Sequence, residues 1–236
     1  MDPQHRYSIS RRLAAFAVHG YTALGAVFGF LALQAAFDRD WAGTFGWLAA
    51  AFAVDASDGT LARRMEVKHV VPWIDGALLD NLVDFLTYVI VPVAVLVQPG
   101  ILPPGFEWTA WSVILASCYG FSRTDAKGFV DHYFQGFPSY WNVLAFYYVV
   151  LGTGPWFNLV LMLALVAAVF APMRWLYPTR MEQGRGVAVW SGVAWGLVGL
   201  VLVAQMPEPS PTLAWASLAY PAWYTAASLA YTIRSR

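Results

Sequence analysis

The sequence predicts an all-α integral membrane fold: a polytopic bundle of about eight transmembrane helices, both termini cytoplasmic, with residues 1–236 forming one transmembrane domain. Three observations predict it. The composition is 59% hydrophobic and 12% charged with a mean hydropathy of +0.53, whereas a soluble domain carries about 25% charged residues. Eight stretches, about 13–37, 41–62, 75–98, 107–123, 139–153, 156–177, 186–206 and 212–232, are apolar over lengths approaching the roughly 20 residues of a helical span. The basic residues fall in alternate connections, as an orientation with the N-terminus inside requires.

The segment 1–12 carries Arg6, Arg11 and Arg12 ahead of an apolar run too long for a signal h-region, so 13–37 reads as a retained first span. A DRD break at 38–40 precedes the second span, which ends in Arg63, Arg64 and Lys68. The third follows and stops at QPGILPPG, residues 98–105. Arg123 and Lys127 follow the fourth; the fifth is short and aromatic and ends at TGPWFN; Arg174, Arg180 and Arg185 follow the sixth. MPEPSP separates the last two spans, which contain no charge in their apolar runs and read as packing or lipid-facing helices, and Arg234 and Arg236 close the chain. Of the 14 basic residues only Arg39, between Asp38 and Asp40, falls on the other side. Eight spans fit this alternation; seven or nine would spoil it.

The zero formal net charge leaves no basic footprint for nucleic acid. The single cysteine, Cys118, excludes an intrachain disulfide and a cysteine metal site.

Against this background the stretch from Asp55 to Asp84 stands apart. Asp55, Asp58, Asp80 and Asp84 follow or interrupt apolar runs, where a charge is costly and usually functional. Residues three or four apart share a helix face, so Asp55, Asp58 and Ala62 align at the end of span two. Gly76, Asp80 and Asp84 align at the start of span three. An isolated acidic pair at such spacing reads as a solvated helix cap; two matched pairs on a hairpin do not. Close like charges oppose each other's ionisation, so converging carboxylates call for a cation, and an all-oxygen set suits a hard ion such as Mg²⁺ or Mn²⁺. Gly59 and Gly76 leave space for a bulky ligand or a close neighbour, and Arg63 can pair with phosphate. Asp75 reads as a helix cap. An ion- or proton-coupled transporter is the alternative from a different class, although transporters place such groups near the midplane.

Asp58-Gly59-Thr60-Leu61-Ala62-Arg63, Gly76-Ala77-Leu78-Leu79-Asp80 and Asp84 resemble the signature of the CDP-alcohol phosphatidyltransferase family, and Asp55 fits its leading aspartate. Most members have eight residues between the motif's arginine and its second glycine. Here 12 residues separate Arg63 from Gly76, a spacing that resembles the bacterial phosphatidylcholine synthase branch. VHGYTALGA at 18–26, YGFSRTDAK at 119–127 and DHYFQGFPSYWN at 131–142 extend that resemblance over most of residues 15–145.

The resemblance implies an enzyme that transfers the phosphatidyl group of CDP-diacylglycerol to choline and releases CMP, with the active site facing the cytoplasm of a bacterial inner membrane. It implies a divalent metal, Mn²⁺ or Mg²⁺, held by Asp55, Asp58, Asp80 and Asp84, with Asp84 also the general base. It places Gly59, Ala62, Arg63 and Gly76 on the CDP-lipid, with Thr22 from the first span. Serine, inositol and glycerol 3-phosphate remain open as alternative acceptors, and a homodimer is an expectation by resemblance alone. A quaternary ammonium is recognised by aromatic faces, so Tyr88, Tyr119, Tyr133, Tyr140 and Trp141 are candidates for choline, although aromatic residues crowd membrane interfaces in any case. His19 reads as a packing histidine near the site, and Asp125, Lys127, Asp131 and His132 as a loop that could cover the headgroup.

Overall fold

The computed structural model describes residues 7–123, 133–177 and 184–234. The Asp125–Lys127 and Asp131–His132 loop, together with Arg6, Arg180 and Arg236, lies outside the described residues.

The chain opens with a helical hairpin. Ser8 caps helix α1 (Ile9–Phe37) by accepting a bond from the Arg11 amide at 3.3 Å. Asp40 caps α2 (Trp41–Arg64) through the Gly43 amide at 2.9 Å. α1 buries one stripe, Ala15, Val18, His19, Thr22, Gly25, Gly29, Ala32 and Ala36, whose spacing of three and four residues is one helix face.

The long connection after Arg63 is structured. It holds a short helix α3 (Val67–Val70), and Val67, Val70 and Val71 bury themselves against Ala15 and Val18 of α1. Arg11 of α1 pairs with Glu66 at its start. The extra residues of the interval therefore form an apolar plug beneath the hairpin.

Asp75 then starts α4 (Gly76–Phe85), accepting from the amides of Ala77 and Leu78 at 3.0 and 3.1 Å, the capping role expected of it. The helix widens into a π-helical turn (Leu86–Ile90) and resumes as α5 (Val91–Leu96). α1 approaches this rod closely at its two buried glycines. A Cβ on Gly25 would lie 2.6 Å from Val83 Cγ1, and one on Gly29 2.8 Å from Leu86 Cδ2. Small residues four apart allow such close helix approach in membranes.

A 3₁₀ turn (Glu107–Ala110) leads into α6 (Trp111–Ser122), and strand β1 (Tyr133–Gln135) precedes α7 (Trp141–Leu151) and α8 (Pro155–Val169). β1 pairs antiparallel with β2 (Arg174–Leu176), Tyr133 opposite Leu176. This small ribbon corrects the sixth expected span, which stops at Val169 rather than 177. Pro172, three residues past the helix, disfavours its continuation. Gly136, at φ 80°, makes the turn after β1, and a Cβ there would lie 2.2 Å from the Val169 carbonyl oxygen.

α9 (Arg185–Ala204) presents nearly all its apolar surface outward. The last expected span is split into α10 (Pro211–Ser217) and α11 (Ala219–Arg234). Pro221 has no N–H to offer the Ser217 carbonyl, which accounts for the break.

Among the described residues the regular structure is thus helical apart from the ribbon, and helices occupy each of the eight apolar stretches. Three of them are long and apolar enough to cross a membrane: α1, the rod Gly76–Leu96 and α9. α2 is of similar length but carries Asp55 and Asp58 within its apolar part. The main core lies between the rod and the C-terminal half, where Val89, Leu96, Val113, Trp141, Met162, Leu176 and Tyr224 meet.

Candidate active site

The carboxylates converge. Asp55 near the end of α2 and Asp80 and Asp84 of α4 each offer one oxygen, and these oxygens lie within 4.8 Å of one another. All three are half-buried. The convergence follows from the hairpin expected of spans two and three, clamped by α1 against both helices. Oxygen-only donors gathered at this spacing fit a hard divalent cation.

Asp58 is placed differently. It stands one turn beyond Asp55, is only 6% exposed, and lies outside the three-carboxylate group. Its Oδ2 accepts a 2.7 Å hydrogen bond from the Thr22 hydroxyl of α1. Thr22, expected on the CDP-lipid, therefore meets the cluster through Asp58. Tyr21 next to it meets α2 as well, its hydroxyl 2.8 Å from Ser57 Oγ.

Of the residues expected on the CDP-lipid, Gly59, Ala62 and Arg63 lie at the α2 end and Gly76 at the start of α4. Arg63 is exposed, donates to the Thr60 hydroxyl at 3.0 Å, and runs so close to Gly59 that a Cβ there would lie 3.3 Å from Nη1. Ala62 packs beside the Val67–Val71 plug. Gly76 faces His19, and a Cβ on it would lie 3.2 Å from the ring Cε1. His19 is buried as a packing residue would be, but its Nε2 has no hydrogen-bond partner among the described residues.

The five aromatic candidates separate. Tyr88, in the π-helical turn, directs its hydroxyl to Asp55 Oδ2 at 3.2 Å. Tyr140 is half-buried and stands edge-on to Phe137, at 6.4 Å between ring centroids. Trp141 is fully buried in the main core, with its indole N–H donating to Ser117 Oγ at 2.8 Å, so it has no face to offer a ligand. Tyr119 is half-exposed against Phe170, with the Arg123 guanidinium 5.8 Å from its ring centre. Tyr133 carries Arg174 at 4.8 Å over its ring. Sequence reasoning missed Tyr224 of α11, 6.1 Å from Tyr140 between ring centroids and bonded to the Leu176 carbonyl at 2.8 Å. No local pattern signals a partner 84 residues away.

No family model matches the chain, and no solved structure matches it. The chain is similar to curated proteins named phosphatidylcholine synthase. That from Pseudomonas aeruginosa is 39% identical over 200 residues, 84% of each chain. That from Legionella pneumophila is 35% identical over 226 residues, 92% of this chain and 88% of its own. The Bradyrhizobium diazoefficiens protein is 36% identical over 213 residues, 90% of this chain and 79% of its own.

Proposed function

The chain belongs to the phosphatidylcholine synthase family, and from that premise we propose that it transfers the phosphatidyl group of CDP-diacylglycerol to choline at the Asp55–Asp84 cluster. The observation that carries the site is the convergence of Asp55, Asp80 and Asp84 from two helices, with oxygens within 4.8 Å. These three, with Asp58 beside them, are the residues to hold the divalent ion, Mn²⁺ or Mg²⁺. When bound, the ion neutralises charge on the diphosphate as its bridging bond breaks.

The chain's own groups do the rest. Asp84 takes the proton of the choline hydroxyl as that oxygen bonds to the β-phosphorus. The bond from the β-phosphorus to the bridging oxygen breaks, and CMP departs. Arg63 pairs with the diphosphate, while Gly59, Ala62 and Gly76 leave room for the CDP portion. Thr22 holds Asp58 in place. For the acceptor, the rings of Tyr88 and Tyr140 are the candidate faces for the quaternary ammonium. Tyr119 and Tyr133 already lie against Arg123 and Arg174, and a second cation there would be repelled.

The same reading supplies the wider setting: eight spans, both termini inside, a bacterial inner membrane, the site open to the cytoplasm, and a homodimer. The lipid chains then stay in the bilayer while choline arrives from water.

CMP release by the purified protein, with CDP-diacylglycerol and each of choline, serine, inositol and glycerol 3-phosphate, tests the assignment. Turnover with choline that stops with EDTA and returns with Mn²⁺ or Mg²⁺ is expected. Turnover with another acceptor and none with choline would overturn it.

A further inference from the structure

The rod that carries Asp80 and Asp84 is not a regular helix at the turn that follows them. Pro92 has no N–H, so the Tyr88 carbonyl, four residues earlier, cannot receive an α-helical bond from it, and the proline ring crowds that carbonyl. The chain answers with the π-helical turn Leu86–Ile90, where the Val91 amide reaches back five residues to Leu86 O. Such single wide turns recur at functional sites.

The turn has a geometric consequence. At 3.6 residues per turn, a residue four along overshoots the first by about 40° around the helix. The π-helical turn changes that offset for Tyr88, the residue at its centre. From there its hydroxyl reaches across to α2 and meets Asp55 Oδ2 at 3.2 Å. The backbone is held in this state from the inside: Thr87 and Val89 are buried, and the Thr87 hydroxyl donates to the Val83 carbonyl at 3.1 Å. Thr87 also lies against Gly29 of α1, where an added Cβ would come within 3.1 Å of its Cγ2.

We propose that the Tyr88 hydroxyl is a positioning group for the cluster, donating to Asp55 so that this carboxylate of α2 stays turned toward Asp80 and Asp84 of α4. The inference rests on the metal reading of the cluster and goes beyond it. It gives the ring and the hydroxyl of Tyr88 separate tasks, and it makes Pro92, four residues further along the chain, the residue that aims the hydroxyl. Groups that orient metal ligands in this way typically change metal affinity 10- to 100-fold when removed.

Mn²⁺ titration of the purified full-length protein, followed by the loss of the free-ion electron paramagnetic resonance signal with no substrate present, tests this. Tyr88→Phe keeps the ring and removes only the hydroxyl. The expected result is Mn²⁺ binding weakened about 10-fold or more, a matching rise in the Mn²⁺ needed for half-maximal turnover, and a choline KM within twofold of the unsubstituted protein at saturating Mn²⁺. Pro92→Ala, which restores an N–H for the Tyr88 carbonyl, should shift Mn²⁺ binding in the same direction with the hydroxyl still present. Equal Mn²⁺ affinity in Tyr88→Phe and the unsubstituted protein would overturn the inference alone. So would a choline KM that rises with Mn²⁺ affinity unchanged, because the hydroxyl would then serve the acceptor. Absence of Mn²⁺ binding by the unsubstituted protein, or binding unaffected by Asp80→Asn, would remove the metal reading and this inference with it.

Discussion

Asp58 is the carboxylate whose surroundings differ most from its three companions. It is buried, and its bond from Thr22 ties the first span to the second at the level of the site. Hydrogen bonds to charged groups contribute about 1.5–3 kcal/mol, and a buried charge that loses its donor forfeits more than a neutral group would. Thr22→Val preserves the shape and removes the donor. A fall in thermal stability together with a turnover reduced roughly tenfold, equivalent to about 1.4 kcal/mol, is the expected outcome in melting and CMP-release measurements. Thr22→Ser should restore most of both. An unchanged rate in Thr22→Val would show that Asp58 needs no help from α1. Arg63 gives a contrasting case because it is exposed and its bond among the described residues is a local one to Thr60. Arg63→Ala should leave the melting temperature nearly unchanged while raising the KM for CDP-diacylglycerol. The opposite pattern, a lower melting temperature with normal KM, would assign Arg63 to structure.

At the scale of elements, the site depends on how near α1 can come to the rod. Gly25 and Gly29 sit within van der Waals reach of Val83, Leu86 and Thr87, and those residues flank Asp84 in the chain. A larger side chain at either position has to push the helices apart, and overpacking of this kind typically costs 1–3 kcal/mol. Gly29→Val is therefore expected to reduce CMP release strongly although it changes no polar atom, and metal titration should show weaker binding. Wild-type activity in that variant would mean that the cluster does not depend on the α1 contact. The α3 turn makes a similar point. Deleting residues 67–70 restores the shorter interval common in the wider family. It also removes Val67 and Val70 from their seat on Ala15 and Val18. Loss of activity and of folded protein is expected, because α1 and the α2 end are packed around that plug.

For the whole molecule, the proposed eight-span arrangement fixes the number and direction of the crossings. Helices occupy all eight apolar stretches, yet among the described residues three meet the length and hydropathy of a full span. α2 is long enough but carries the site's charges, while the ribbon ends the sixth stretch early and Pro221 divides the last. With the termini inside, a C-terminal fluorescent-protein fusion should be bright and an alkaline phosphatase fusion inactive. A reporter inserted near Arg39, the single basic residue on the opposite side, should give the reverse. Matching signals at the two positions would exclude the eight-span arrangement.

Much of this protein is legible one residue at a time. Helical stretches follow from apolar run length, because a lipid-facing backbone must satisfy itself. The expected orientation follows from where Lys and Arg fall. The candidate carboxylates follow from their cost in apolar surroundings, and their pairing on two faces follows from the pitch of a helix. Tertiary structure alone decided which of these groups meet. It separated Asp58 from the other three and gave it to Thr22, 36 residues earlier in the chain. It turned the long interval after Arg63 into a plug against α1, took Trp141 into the core, and brought Tyr224 beside Tyr140. It also set Tyr88, whose turn Pro92 opens locally, against Asp55 of the neighbouring helix. The physical reason is range. Pitch, hydropathy and capping act within a few residues and are written locally, whereas a hydrogen bond between helices depends on how closely their faces pack, and that is settled only when the whole bundle closes.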